Sequence, residues 1–64
     1  MNIEVFIELE FQNKIYSLDL EKLHFILSKL ANKKITTKNT KEILELMKYY
    51  HLLNEGFLEN INKI

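Results

Sequence analysis

The sequence lacks cysteine and long apolar runs, and each absence excludes a class of structure. Without cysteine the chain has no disulfide and no thiolate metal site. No run of about 18 apolar residues occurs, so no membrane-spanning helix is expected. The acidic N-terminal stretch also does not resemble a signal peptide. We therefore expect a cytoplasmic protein that does not associate with a membrane.

Arginine is also absent, since all nine basic residues are lysine. Arginine is the side chain that most often reads guanine or clamps a phosphate, so its absence weakens the case for specific nucleic-acid recognition. Nine acidic residues balance the lysines, but the central residues 22–41 contain six lysines and no acid. Such a dipolar chain steers charged partners without a general attraction to nucleic acid.

The 64 residues are expected to form one small domain, 1–64, near the lower size limit for folding on a single core. From Ile3 to Phe11 the odd positions are all apolar. The even positions of this stretch are Glu4, Phe6, Glu8 and Glu10. Alternation with period two predicts a half-buried strand with one apolar face and one acidic face.

A two-residue turn is predicted at Asn13-Lys14, because asparagine tolerates the positive φ that tight hairpin turns need. The second strand would then cover only residues 15–18, and Leu9 would pair with Leu18. Residues 3–8 would be left without partners in the hairpin. Because native proteins rarely leave such an edge open, a second copy of the chain, the C-terminal tail or a target protein should cover it.

Two amphipathic helices are predicted to follow the hairpin. The first runs from Leu20 to Asn32, with Asp19 as its N-cap and Asn32 in the left-handed conformation. Its apolar stripe consists of Leu20, Leu23, Leu27, Leu30 and Ala31. The second helix covers residues 40–54, with Asn39 as its N-cap or with Thr36 or Thr37 as competing caps.

The only glycine, Gly56, is predicted to end the second helix with a positive φ. Residues 57–64 fit either a short helix or a third strand. The expected fold is therefore α+β: an N-terminal β-hairpin packed against two α-helices, with a short C-terminal helical or strand element.

No catalytic or cofactor signature is present. His24 and His51 lie far apart without an acidic ligand pattern, so they are predicted to be helix-border residues rather than metal ligands. Ser17 and Ser28 lack the surroundings of a nucleophile. The hairpin carboxylates lie on a solvent face without a cleft. We expect no enzyme activity, no metal and no cofactor.

Phe6 and Phe25 lie among polar residues in the predicted elements. Exposed aromatic side chains are favoured anchors of protein interfaces. Burial against the C-terminal tail is the alternative for both. The predicted partner-binding residues are Glu4, Phe6, Glu8, Glu10 and Phe25. They indicate a non-catalytic protein-interaction module that forms a homodimer through strand 3–8 and binds an unknown protein target. The size and composition lead us to expect a small accessory or inhibitor protein of phage or plasmid type.

A lysine-rich loop over residues 33–41 gives the alternative function. Its candidate anion-binding residues are Lys33, Lys34, Thr36, Thr37, Lys38 and Lys41. Ammonium, hydroxyl and backbone amide groups ahead of a helix suit a phosphate, although the loop lacks the glycines of a P-loop. The alternative is therefore a protein that binds nucleic acid or a nucleotide ligand.

Overall fold

The computed structural model describes residues 4–64 and places an antiparallel β-hairpin ahead of the helices. The elements are β1 (Phe6–Phe11), β2 (Lys14–Asp19), α1 (Leu20–Ala31), α2 (Thr40–Tyr49), α3 (Glu55–Asn60) and a C-terminal 3₁₀ helix (Ile61–Lys63). The molecule is thus a small α+β fold, and its tail is helical rather than a third strand. Ile3, the first residue of the predicted strand, lies outside the described residues.

The hairpin turn lies at Gln12-Asn13, one position earlier than predicted. Both residues have positive φ, 51° and 64°, which is the combination that a type I′ turn requires. Leu9 consequently pairs with Tyr16 rather than with Leu18. Moving a two-residue loop by one position shifts the pairing by two residues, so each side chain keeps its predicted face. Leu9, Tyr16 and Leu18 are all buried.

The two strands are equal in length, so the predicted mismatch between them is wrong. Asp19 ends β2 and pairs with Phe6, and the backbone N–H of Leu20 donates to the carbonyl oxygen of Val5 at 2.8 Å. An N-cap residue has extended dihedral angles, here φ −66° and ψ 115°, so Asp19 both ends the strand and starts the helix. Residues 5–8 therefore have partners inside the hairpin.

α1 begins at the predicted residue and ends at Ala31, one residue before the predicted end, with Asn32 as its C-cap. One carboxylate oxygen of Asp19 accepts hydrogen bonds from the amides of Glu21 and Lys22, and Asn32 takes a left-handed φ of 55°. Its buried leucines are Leu20, Leu23 and Leu27. Leu30 was also predicted on this stripe but is 48% exposed, because it lies at the stripe's margin in the last turn.

α2 starts at the predicted cap but ends five residues earlier than predicted, at Tyr49. His51 adopts a left-handed φ of 60°. The amide of Leu52 then donates to the carbonyl of Met47, which is the long hydrogen bond of a Schellman ending. His51 is therefore the helix stop, and the prediction for Gly56 is wrong: Gly56 lies inside α3 and has no positive φ.

The core lies between the inner face of the hairpin and the helices. Its six most completely buried side chains are Leu18, Leu23, Leu27, Ile43, Met47 and Ile61. Ile35 anchors the connection between α1 and α2, and its amide donates to the hydroxyl of Ser28 at 2.8 Å. α1, α3 and the 3₁₀ helix all pack against β2, whereas the main neighbour of β1 is β2 itself.

Candidate protein-interaction edge

The side chain of Asn62 closes the outer edge of β2 at residues 17–19. Its carboxamide oxygen accepts from the backbone N–H of Asp19 at 2.9 Å, and its carboxamide nitrogen donates to the carbonyl oxygen of Ser17 at 2.7 Å. These two groups flank one residue of the strand and would otherwise bond to a neighbouring strand. One amide side chain thus takes the place of a strand residue at this edge.

Two further contacts hold the C-terminal segment in this position. The ammonium group of Lys22 donates to the carbonyl oxygen of Asn62 at 2.7 Å. The ammonium group of Lys14 forms an ion pair with Glu59 at 3.1 Å. The pKa of Lys14 is raised above its ordinary value of 10.5. The largest cause is the hydrogen bond to Glu59, and the second is the negative charge of that carboxylate. Buried Ile61 fixes the same segment to the core.

Within residues 4–64 no strand pairs with the outer edge of β1. The bond from Leu20 to Val5 identifies this pair as a hydrogen-bonded one, and such pairs alternate along an antiparallel ladder. The backbone N–H and C=O groups of Phe6, Glu8 and Glu10 therefore point away from β2. The sheet formed by residues 4–64 has two strands, so these outward groups have no strand partner within it.

The side chains along this edge form two different faces. On the outer face Phe6 is 44% exposed, and Glu8 and Glu10 are exposed as well. On the inner face Ile7 and Phe11 are half-buried at the margin of the core. A strand added here would therefore meet an acidic face on one side and an apolar face on the other.

The other two predicted partner-binding residues, Glu4 and Phe25, line a common cavity of about 410 Å³. Asp19, Glu21, Lys22, Ile26 and Ile64 complete its lining. Phe25 is 62% exposed, with the ammonium group of Lys29 at 5.3 Å from its ring centre. Burial against the C-terminal tail, the alternative for both phenylalanines, is therefore not observed. The cavity lies at the start of the chain segment that leads into β1.

The lysine loop uses the hydroxyl of Thr37 and the first amides of α2 in internal contacts. The side-chain oxygen of Asn39 accepts from the amides of Lys41 and Glu42, which are the amides that an anion at the start of α2 would use. The hydroxyl of Thr37 accepts from the amide of Asn39 and donates to the Glu42 carboxylate.

Acidic side chains also share the loop's cavity of about 490 Å³. Of the predicted anion-binding residues, Lys33, Lys34, Thr36 and Thr37 line it, together with Glu42 and Glu45. Lys38 and Lys41 are exposed but do not line this cavity. Phosphate binding by the loop stays a prediction. The amides of Lys41 and Glu42 do not favour it, because both already donate to Asn39.

His24 has a structural contact, because its Nε2 donates to the carbonyl oxygen of Thr37 at 2.7 Å and links α1 to the loop. Among residues 4–64, no three histidine, aspartate or glutamate side chains come close enough to share a metal ion. No helix within the same range is both long and apolar enough to cross a membrane.

Comparisons of the chain with protein-family models, with characterised proteins and with solved structures found no match. No relative therefore indicates a function. The most distinctive feature of the described residues is the contrast between the open edge of β1 and the closed edge of β2.

Proposed function

We propose that this chain is a non-catalytic protein-interaction module that binds by strand addition to the outer edge of β1. The observation that carries this function is the difference between the two edges. On β2 the side chain of Asn62 bonds to two outward backbone groups, the N–H of Asp19 and the C=O of Ser17, whereas the outward groups of Phe6, Glu8 and Glu10 are unpaired among the described residues. An open strand offers main-chain hydrogen bonds to an incoming strand, which is a recurring mode of protein recognition.

In the absence of another partner, a second copy of the chain occupies this edge and forms a homodimer about a two-fold axis. Two antiparallel β1 strands would join two hairpins into a four-stranded sheet. Ile7 and Phe11 of both copies would then extend one apolar face across the junction. Because a strand edge is a small interface, we expect a weak dimer that exchanges with the monomer.

The cavity that contains Glu4 and Phe25 supplies a second contact surface for a protein target. Its exposed aromatic ring lies near the carboxylates of Glu4, Asp19 and Glu21 and near the ammonium groups of Lys22 and Lys29. An aromatic anchor surrounded by a polar rim is typical of protein interfaces. A small accessory or inhibitor protein of phage or plasmid type is the biological role that we propose for such a module.

A pair of proline variants tests this function. Glu8 and Ser17 face each other across the hairpin, and the backbone N–H of each points outward, one on each edge. Proline at either position removes an outward donor without removing a hydrogen bond between the strands, a placement that edge strands tolerate. We expect Glu8→Pro to abolish the dimer in sedimentation equilibrium, whereas the matched control Ser17→Pro retains it.

Circular dichroism verifies that both variants fold, and Glu10→Pro provides a second variant of the open edge. Equal dimerisation of wild type, Glu8→Pro and Ser17→Pro would remove the β1 edge as the interaction surface. A monomeric mass for folded wild type at millimolar concentration would exclude the homodimer.

A further inference from the structure

We infer that the preferred partner of the β1 edge is an extended protein segment in which basic and apolar residues alternate. This inference rests on the proposed function, because it names the partner class for the same edge. A strand that adds to β1 directs every second side chain to the outer face and the others to the inner face. The outer and inner faces of β1 therefore contact alternate side chains of the added strand, and each face favours a different kind of side chain.

The outer face selects basic side chains. Directly paired side chains of neighbouring strands lie about 5 Å apart, so a lysine or arginine on the added strand reaches Glu8 or Glu10. The residues opposite these glutamates within the hairpin are Ser17 and Ile15, neither of which is charged. Within residues 4–64 the single ion pair joins Lys14 to Glu59, so both glutamates lack a cationic partner there.

The one lysine of the hairpin does not neutralise this face. Lys14 holds its ammonium group 5.0 Å from the ring centre of Tyr16 and 3.1 Å from Glu59. Tyr16 belongs to the buried inner face. The positive charge of Lys14 is thus directed away from Glu8 and Glu10, and the outer face keeps its negative charge.

The inner face selects apolar side chains. Ile7 and Phe11 are half-buried and border the core, and Leu9 between them is buried. A valine, isoleucine or leucine on the added strand would cover the remaining exposed area of Ile7 and Phe11. A polar residue at these positions would instead lose water without gaining a partner.

Charge also favours such a segment over a second copy of the chain. Glu8 and Glu10 share a face, so antiparallel pairing of two β1 strands gathers the glutamates of both copies on one side of the sheet. Like charges on neighbouring strands destabilise the pairing, whereas opposite charges stabilise it. A basic partner strand therefore displaces the second copy of the chain from the homodimer.

The two kinds of pairing respond to salt in opposite directions. Added salt screens the attraction between a basic segment and the outer face and weakens that complex. It also screens the repulsion between the glutamates of two copies and strengthens the homodimer. Replacing both Glu8 and Glu10 by glutamine should likewise strengthen the homodimer and weaken binding of a basic segment about five- to tenfold.

Two capped eight-residue peptides of identical composition test the partner class. One alternates lysine with valine, and the other carries all four lysines in one half. We expect the alternating peptide to bind the full chain at least tenfold more tightly at 50 mM salt and to lose affinity as salt rises. Its binding should shift the amide NMR signals of Phe6, Glu8 and Glu10, and it should dissociate the homodimer.

The charge variant Glu8→Gln with Glu10→Gln is compared with the matched control Glu45→Gln with Glu55→Gln. Equal binding of the two peptides, or no difference between the two charge variants, would overturn the partner class. The proposed function would survive that result if Glu8→Pro still abolished the homodimer. An absence of any effect of Glu8→Pro on both the homodimer and peptide binding would overturn both.

Discussion

The carboxamide oxygen of Asn62 lies 2.9 Å from the backbone nitrogen of Asp19, although 43 positions separate the two residues. Through this contact and its bond to Ser17, one side chain closes the outer edge of β2 at residues 17–19. The edge of β1 has no counterpart within residues 4–64. Association through one edge stops at two copies, whereas two open edges would permit a polymer of strands. We therefore propose that Asn62 limits association to two copies in addition to stabilising the fold.

Asn62→Ala should open the edge of β2. It removes two hydrogen bonds to the backbone, so we expect the free energy of unfolding to fall by about 1–3 kcal/mol. Species larger than a dimer should also appear in sedimentation velocity as the concentration rises. The matched control is Asn60→Ala, because the side chain of Asn60 donates only to the carbonyl oxygen of Gly56 within α3. An Asn62→Ala variant that remains dimeric would show that this side chain does not limit association.

Asn39→Ala should destabilise the fold by about 1 kcal/mol, because it removes the N-cap of α2. Thr36 was a competing candidate for this cap, but it is exposed and makes no capping bond. Thr36→Ala should therefore change the free energy of unfolding by less than about 0.5 kcal/mol. Urea denaturation of the two variants measures both values, and equal losses would contradict the cap assignment.

Gly56→Ala should stabilise the protein by about 0.5–1 kcal/mol, since glycine inside a helix loses more conformational entropy on folding than alanine. An added Cβ atom would meet only the side-chain oxygen of Asn54, at 3.4 Å, which is an ordinary contact. His51→Val should destabilise the protein, because a β-branched residue is strained at φ 60°. Thermal unfolding measures the change in stability of both variants. A loss of stability in Gly56→Ala would contradict the placement of Gly56 inside α3 and favour its role as the helix stop.

Glu59→Gln should lower the pKa of Lys14, because the Glu59 carboxylate is the main cause of its raised value. A cationic group with a raised folded-state pKa contributes stability below its ordinary pKa, and this contribution disappears as pH rises through the folded-state value. The difference in stability between wild type and Glu59→Gln should therefore shrink above about pH 10.5. Titration of the lysine ammonium signals by NMR measures the pKa shift. An unchanged pKa for Lys14 in Glu59→Gln would contradict the ion pair.

Local sequence signals predicted much of the fold. Alternation identified the hairpin faces, and Asp19 and Asn39 were recognised as N-caps, because each of these signals depends on neighbours a few positions away. The strand register was not predictable in the same way. Turns at positions 12–13 and 13–14 give the same face pattern, so hydrophobicity does not separate them. That one-position error, together with the expectation that the second strand ends before Asp19, produced the expectation of unequal strands.

The closed edge could not be predicted, because it depends on a long-range contact. Asn62 is one of two asparagines in residues 57–64, and nothing in its spacing distinguishes it from Asn60. The end of α2 was missed for a different reason. Glycine is the commonest residue at a left-handed helix stop, but here His51 takes that conformation so that Leu52 can pack at the margin of the core.

Residue-resolved hydrogen exchange tests the central claim, that the outer edge of β1 is the pairing surface, most directly. The amides of Phe6, Glu8 and Glu10 point outward on β1, and those of Ile15 and Ser17 point outward on β2. We expect exchange of the first three amides to slow as protein concentration rises from about 10 μM to 1 mM, because pairing of two chains protects them. Exchange at Ile15 and Ser17 should not change. Exchange at Phe6, Glu8 and Glu10 that is independent of concentration, or a slowing confined to Ile15 and Ser17, would contradict the account.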